Sequence, residues 1–152
     1  MSDYREEIGD FLYLLSEKLD EELYEDFLSL CDADFHYQVS AFSPELGKEM
    51  VWLDHDYKEI RNLMLLIHQH VRMKGDFTRN ISMVRIRAAE ENCYEVRSQI
   101  MVMHTDQCGT TKLFAVGSYT DKVTRKQDQL RLLERKVYLN TRDLGSGIHV
   151  PI

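Results

Sequence analysis

Residues 65–80, LLIHQHVRMKGDFTRN, hold two histidines, His68 and His70, in a chain that has six. His55 and the acids Asp54, Asp56 and Glu59 lie a short way upstream. Histidines and carboxylates are the ligands of zinc and non-haem iron centres, so the question is whether these converge. An apolar stripe of Ile60, Leu63, Met64, Ile67 and Val71 predicts a helix from near Asp54 to about Met73, with Gly75 after its end. On a helix, residues i and i+2 point about 200° apart, so His68 and His70 cannot grip one ion. The helical ligand spacing is i, i+4, and Arg72 and Lys74 occupy those positions. His36, His104 and His149 are further ligands in principle, but no spacing selects them. The histidines read as scaffold or subunit-contact residues. No catalytic, cofactor-binding or metal-binding residue is assigned to this chain, which also has no GxSxG, P-loop or GxGxxG.

The elements that would position any site follow from hydrophobic periodicity. In YREEIGDFLYLLSEKLDEELYEDFLSLC, the residues Ile8, Phe11, Leu12, Leu15 and Leu19 share one helical face. Asp20 resembles the N-cap of a second, shorter helix carrying Leu23, Phe27, Leu28 and Cys31. DFHYQVSAF switches to aromatic and β-branched residues and predicts a strand, followed by a loop at SPELGKEM. After the histidine-bearing helix, TRNISMVRIRAAE, CYEVRSQIMVMHT, TTKLFAVGSYTDKVT and QLRLLERKVYLN alternate. The turns EEN, DQCG and RKQD join them into an antiparallel meander. Helices first and strands after is the α+β order. Gly117, inside a strand, predicts a bend or bulge. Nothing resembles a linker, so residues 1–152 are expected to form one domain.

The chain has 19 basic and 26 acidic residues, a net charge of −7, without the broad basic stripe that nucleic-acid binding needs. Its three cysteines, Cys31, Cys93 and Cys108, form no CxxC and are expected to be free thiols. The acidic start MSDYREEIGDF does not resemble a signal peptide, and the longest apolar run, Leu63 to Ile67, is far short of a membrane span. The expectation is a soluble, cytoplasmic protein with no nucleic-acid or membrane partner. Lys122, Arg125, Lys126, Arg131, Arg135 and Lys136 crowd the last two strands, whereas the first third is acidic. That asymmetry points to a partner on one face.

Several segments together resemble a known family. LYEDFLSLCDADFHYQVSAF, with Phe35, His36 and Tyr37, is similar to its helix and first strand, and DHDYKEIRNLMLLIHQHV to its central helix. FTRNISMVRI, with Thr78, Arg79 and Asn80, resembles a strand start of the form TR…NV.V. YEVRSQIMVMHTDQCGTTKLFAVGSYTDKV resembles the paired strands that follow, and LLERKVYLNTRDL the closing strand, with Asn140 where an aspartate is common. From about Leu19 to Leu144 the chain resembles the small (β) subunits of Rieske non-haem iron ring-hydroxylating oxygenases, within the nuclear transport factor 2 superfamily. Two departures are Gln129 and Leu130 where the family often has tryptophan, and the single tryptophan at Trp52. The short chain and its GSGIHVPI stretch are similar to the methanesulfonate monooxygenase branch.

The resemblance implies a cystatin-like cone, with N-terminal helices packed on a strongly curved, mostly antiparallel sheet. It implies a structural subunit of an oxygenase hydroxylase, aromatic-ring dioxygenase-like or methanesulfonate monooxygenase-like, that stabilises a catalytic α subunit. The Rieske 2Fe–2S cluster and the mononuclear Fe(II) would lie in that α subunit, fed by a ferredoxin and reductase, and other copies of this chain would complete an α3β3 assembly. Arg79, Arg97, Tyr119, Arg131, Arg135 and Tyr138 are the expected interface residues, because arginine and tyrosine combine area with directed hydrogen bonds. The competing reading is a free-standing cone enzyme, isomerase-, dehydratase- or cyclase-like. Its acid or base would come from Asp34, His36, Tyr37 or His104, set in an apolar cavity that tunes its pKa.

Overall fold

The computed structural model describes residues 3–67, 74–144 and 151–152. Helix α1 spans Tyr4–Asp20, capped by the Asp3 carboxylate on the Arg5 amide, and buries Ile8, Phe11, Leu12, Leu15 and Leu19. The short helix α2, Tyr24–Ser29, starts after Leu23 rather than at Asp20. Asp20 stays the last residue of α1, and its carboxylate turns instead to Arg79.

Strand β1, Cys31–Ser43, leads into β2, Lys48–Asp56. The sequence reading placed a loop and then a helix start across much of β2. An edge strand explains the difference. β2 pairs only with β1, and most of it is exposed, so it shows no buried alternation. Helix α3 then runs Tyr57–Leu66, opened by a reciprocal capping box between Asp56 and Glu59. His68 and His70, like His149, lie outside the described residues.

The meander follows as β3 (Asp76–Glu90), β4 (Cys93–Thr105), β5 (Thr111–Lys126) and β6 (Gln129–Leu139). The sheet order is β2-β1-β6-β5-β4-β3. All pairs are antiparallel except β1 with β6, which is parallel. At the β5–β6 hairpin Gln127 and Asp128 both take positive φ, 51° and 60°, as a two-residue type I′ turn requires. Gly117 is needed for close approach rather than for a bulge at its own position. A Cβ there would collide with the Tyr138 carbonyl oxygen and stand 3.1 Å from Leu139 Cα.

The curved sheet folds over the helices with its inner face in a single buried cluster that runs from Ile8 to Ile152. Pairing fixes which residues stand side by side. Across the inner face, Val39, Val137, Tyr119 and Ser98 form one row, and Tyr37, Arg135, Asp121 and Val96 the next. Across the outer face run Gln38, Lys136, Thr120, Arg97 and Arg85, then His36, Glu134, Lys122, Glu95 and Arg87.

Candidate interaction surfaces and the buried charge cluster

The six residues expected at an interface divide into two groups. Arg135 and Tyr119 are 0% exposed, and Arg79 is 7% exposed. A side chain without surface cannot anchor a partner, so these three belong to the interior. The Arg135 guanidinium donates to both carboxylate oxygens of Asp121, at 2.9 and 3.0 Å, and lies 3.9 Å from the Tyr119 ring centroid. Burial pushes the Asp121 carboxyl above the usual aspartate range, against the pull of Arg135. Arg135 remains cationic: burial acts to lower its pKa, and the nearby Asp121 charge more than offsets that. Arg135 Nη1 and the Tyr119 hydroxyl have no hydrogen-bond partner among the described residues.

Arg79 ties three parts of the chain together. Its Nη1 donates to Asp20 at the end of α1 at 2.7 Å, and its Nη2 donates to the Pro151 carbonyl. Beside it the Ile152 amide donates to the Tyr37 hydroxyl at 3.0 Å. Burial pushes the Tyr37 phenol well above its ordinary range. Arg79 and Tyr37 are therefore internal braces, built from groups far apart in sequence.

Arg97, Arg131 and Tyr138 do reach the surface. Arg97 is exposed on the outer face of β4, with Nε 3.4 Å from Glu95. Arg131 is half-buried and donates to the Ser29 carbonyl and to Gln129. Tyr138 stands half-buried on the outer face between Ser40 and Ser118.

The basic crowd on the last two strands is mostly spent within the molecule. Arg125 pairs with Glu7 at 2.6 Å, and Lys126 with Asp32 at 2.6 Å. Lys122 and Lys136 share Glu134, at 3.2 and 3.3 Å. The acidic first third thus meets the basic end partly in cis. Burial raises the Asp32 carboxyl, but Lys126 and the Asp34 amide outweigh that and hold it below the usual range.

Residues suited to a cavity acid or base are not gathered. Asp34 is exposed at the strand start, and His36 sits on the outer face bonded to Asp54. Tyr37 is in the core. His104 Nε2 lies 2.7 Å from the Lys74 carbonyl, and its ring centroid is 4.9 Å from that of Phe77. Among the described residues, no three His, Cys, Asp or Glu side chains are grouped to hold a metal ion. Nor is any described helix long and apolar enough to cross a membrane.

A feature that the residue pattern did not single out is the outer end of the β1–β2 hairpin. Phe42, Leu46 and Val51 are 55%, 60% and 52% exposed there, and the register puts Phe42 and Val51 on one face. Exposed apolar groups near one another are a feature of protein contact surfaces.

The architecture is that of the nuclear transport factor 2-like cones. The β subunit of a putative aromatic-ring-hydroxylating dioxygenase from Novosphingobium aromaticivorans DSM 12444 matches with TM-score 0.82. It is 20% identical, with 95% of this chain and 94% of that one covered. The Ring hydroxylating beta subunit family model matches residues 16–146, and the chain belongs to that family. It is 35% identical over 145 residues to the 2-aminobenzenesulfonate 2,3-dioxygenase subunit beta of Alcaligenes sp, covering 95% of this chain and 97% of that one. It is 26% identical over 159 residues to the methanesulfonate monooxygenase hydroxylase subunit beta of Methylosulfonomonas methylovora, covering 99% and 88%. The likeness to the methanesulfonate branch is present, and identity to the aminobenzenesulfonate protein is higher.

Proposed function

We propose that this chain is the non-catalytic small subunit of a multicomponent oxygenase, and that it stabilises a catalytic α subunit carrying the Rieske cluster and the mononuclear iron. The observation that carries the reading is family membership across residues 16–146. The exposed apolar end of the β1–β2 hairpin supports it, because an obligate subunit buries apolar area on its partner. The basic terminal strands no longer serve as the contact, since their charges are mostly paired in cis. Arg97, Arg131 and Tyr138 remain as surface groups available for polar contacts elsewhere on the sheet. An α3β3 complex supplied by a ferredoxin and reductase is the assembly this reading entails. Both curated relatives act on a sulfonate by name, so an organosulfonate is the substrate class to assay first.

Co-expression with the α subunit encoded by the same host tests the reading. The expected result is one large complex whose iron all resides in the partner, and Phe42→Asp with Val51→Asp should abolish co-purification while the chain stays folded. If wild-type chain leaves the column without any iron-bearing partner, the subunit reading is wrong.

A further inference from the structure

Arg85 and Arg97 stand directly opposite each other on the outer face of β3 and β4, a register that brings their Cβ atoms to about 5 Å. Like charges that close work against strand pairing. An anion placed between them turns the repulsion into two attractions. Glu95 supplies only part of one, because it is shared between Arg87 at 2.7 Å and Arg97 Nε at 3.4 Å. On its other flank Arg85 borders a hollow with Glu6 and Asp10 of α1, yet it closes no ion pair among the described residues. A β-bulge brings Arg85 to this place. Met83 and Val84 together oppose the single Ser98, and Met83 takes a positive φ of 51°. Without the extra residue, the alternation that leaves Ser82 outside would turn Arg85 inward.

The surface beside the pair is made of donors. Pairing sets Thr120 of β5 opposite Arg97 and Ser118 opposite Gln99. With Met83 and Arg85 these four residues rim a hollow of about 280 Å³. Two guanidinium groups, one amide and two hydroxyls border it, and no carboxylate lines it among the described residues. Gln99, Ser118 and Thr120 make no side-chain hydrogen bond among the described residues. Guanidinium forks match the paired oxygens of sulfate- and phosphate-type groups, and hydroxyl and amide donors serve the oxygens left over. The hollow lies just below the roughly 300–1,000 Å³ of pockets that hold organic ligands, a size that suits a small anion.

We propose that the Arg85–Arg97 pair, with Gln99, Ser118 and Thr120, binds a small tetrahedral oxyanion of the sulfate or phosphate class on the outer face of the sheet. Such an anion ties β3, β4 and β5 together through one group and neutralises the repulsion that the register builds in. The site does not depend on the subunit reading. The full chain, labelled with nitrogen-15, is titrated with sodium sulfate and separately with sodium phosphate, at constant ionic strength set by sodium chloride. Arginine Nε–H and glutamine side-chain amide signals are followed by NMR. The expected result is a shift of the Arg85, Arg97 and Gln99 signals that saturates at about millimolar anion. R85Q and R97Q should each weaken binding about tenfold, and R85Q/R97Q should abolish saturation. T120V should weaken it about threefold, because a hydroxyl donor is lost with no change of charge. R61Q, at an exposed arginine of α3, should leave it unchanged. Circular dichroism confirms that the variants fold, as expected for side chains outside the core. Saturation by only one of the two anions names the oxyanion and supports the proposal. Shifts that grow linearly to the end of both titrations overturn it, as does equal saturation in R85Q/R97Q. If wild type shows no saturation and R85Q/R97Q loses co-purification with the α subunit, the pair faces an acidic group of that chain and the proposal is wrong.

Discussion

Replacing Arg135 with methionine leaves the Asp121 carboxylate fully buried without its counter-ion. The new side chain keeps much of the length that packs on Tyr119, but the two hydrogen bonds to Asp121 are lost. Breaking one end of a buried pair costs about 3–5 kcal/mol, a large part of the roughly 5–15 kcal/mol that holds a domain together. At pH 7, Arg135→Met is expected to lose about that amount. The orphaned carboxyl then has an escape. Burial already pushes Asp121 upward with Arg135 in place, so without it the group takes up a proton in the folded chain. A folded-state pKa above the unfolded one means that the native state binds the extra proton. Stability therefore rises as pH falls, by at most about 1.4 kcal/mol per pH unit between the folded and unfolded values. Going from about pH 7 to about pH 5 should return up to about 2.7 kcal/mol to Arg135→Met. Asp121→Asn strands the guanidinium, which cannot shed its proton at these pH values, so its deficit should not shrink. Urea unfolding followed by circular dichroism at both pH values, each variant against wild type at the same pH, measures this. Equal deficits at both pH values in both variants would refute the argument, and so would losses below about 1 kcal/mol. The double variant Asp121→Leu with Arg135→Met should return close to wild type, since an apolar pair removes both desolvated charges.

Tyr119→Phe removes a buried hydroxyl that has no partner among the described residues, so stability should be unchanged or rise by up to about 1 kcal/mol; a loss larger than that would show that the hydroxyl is hydrogen-bonded. Gly117→Ala drives a Cβ into the Tyr138 carbonyl and the Leu139 backbone, and should lower stability by about 1–3 kcal/mol; a melting temperature equal to wild type would contradict the close approach. Arg125 holds Glu7 below the usual carboxylate range, and Arg87 does the same for Glu95. For Asp32 and Glu134 burial raises the pKa, but their lysine partners outweigh it. Depressed folded values stabilise above the unfolded pKa values near 4 and are lost as pH falls through the folded ones, with Asp121 acting in the opposite sense. The urea midpoint should be flat from about pH 7 to about pH 5 and fall below about pH 4; a midpoint that rises through that acid range would be inconsistent with these pairs.

Periodicity made most of the architecture legible. The stripe Ile8, Phe11, Leu12, Leu15 and Leu19 lies in the core as the helical spacing predicts, and Val96, Ser98, Ile100 and Val102 line one buried face of β4. β2 was hidden because an exposed edge strand has no alternation to show. Arg79, Tyr119 and Arg135, expected at an interface, are buried within the chain for a different reason. Residue type suggested surface, but position along the strand places them inside. Arg135 shares the parity of Val137 and Leu139, and Asp121 that of Tyr119 and Val123. Opposite charges at core parity on consecutive strands are a readable sign of a buried pair. The cis pairing of the basic hairpin could not be read locally, since Arg125 and Glu7 lie 118 positions apart.

The filling of the cone bears directly on the choice between subunit and enzyme. An acid or base at work near neutral pH needs a pKa in that range and access to a reacting group. The strongest titratable pair inside this sheet meets neither need. Arg135 keeps its proton, Asp121 spends both oxygens on Arg135, and each is fully buried. Arg79 is likewise committed to Asp20 and to the Pro151 carbonyl, and Tyr37 accepts from the Ile152 amide, so the segment at 151–152 is seated on the groups a substrate would have to use. His36 sits on the other side of the sheet against Asp54. Buried polar groups arranged this way fix which strands pair and where the chain returns, a role that needs no substrate. The exposed groups, by contrast, include apolar side chains at the β1–β2 hairpin, arginines on β3 and β4 and acids along α1. Under the proposed subunit reading, ionic groups satisfied inside the described chain and exposed apolar area at the hairpin suit a protein held between neighbours.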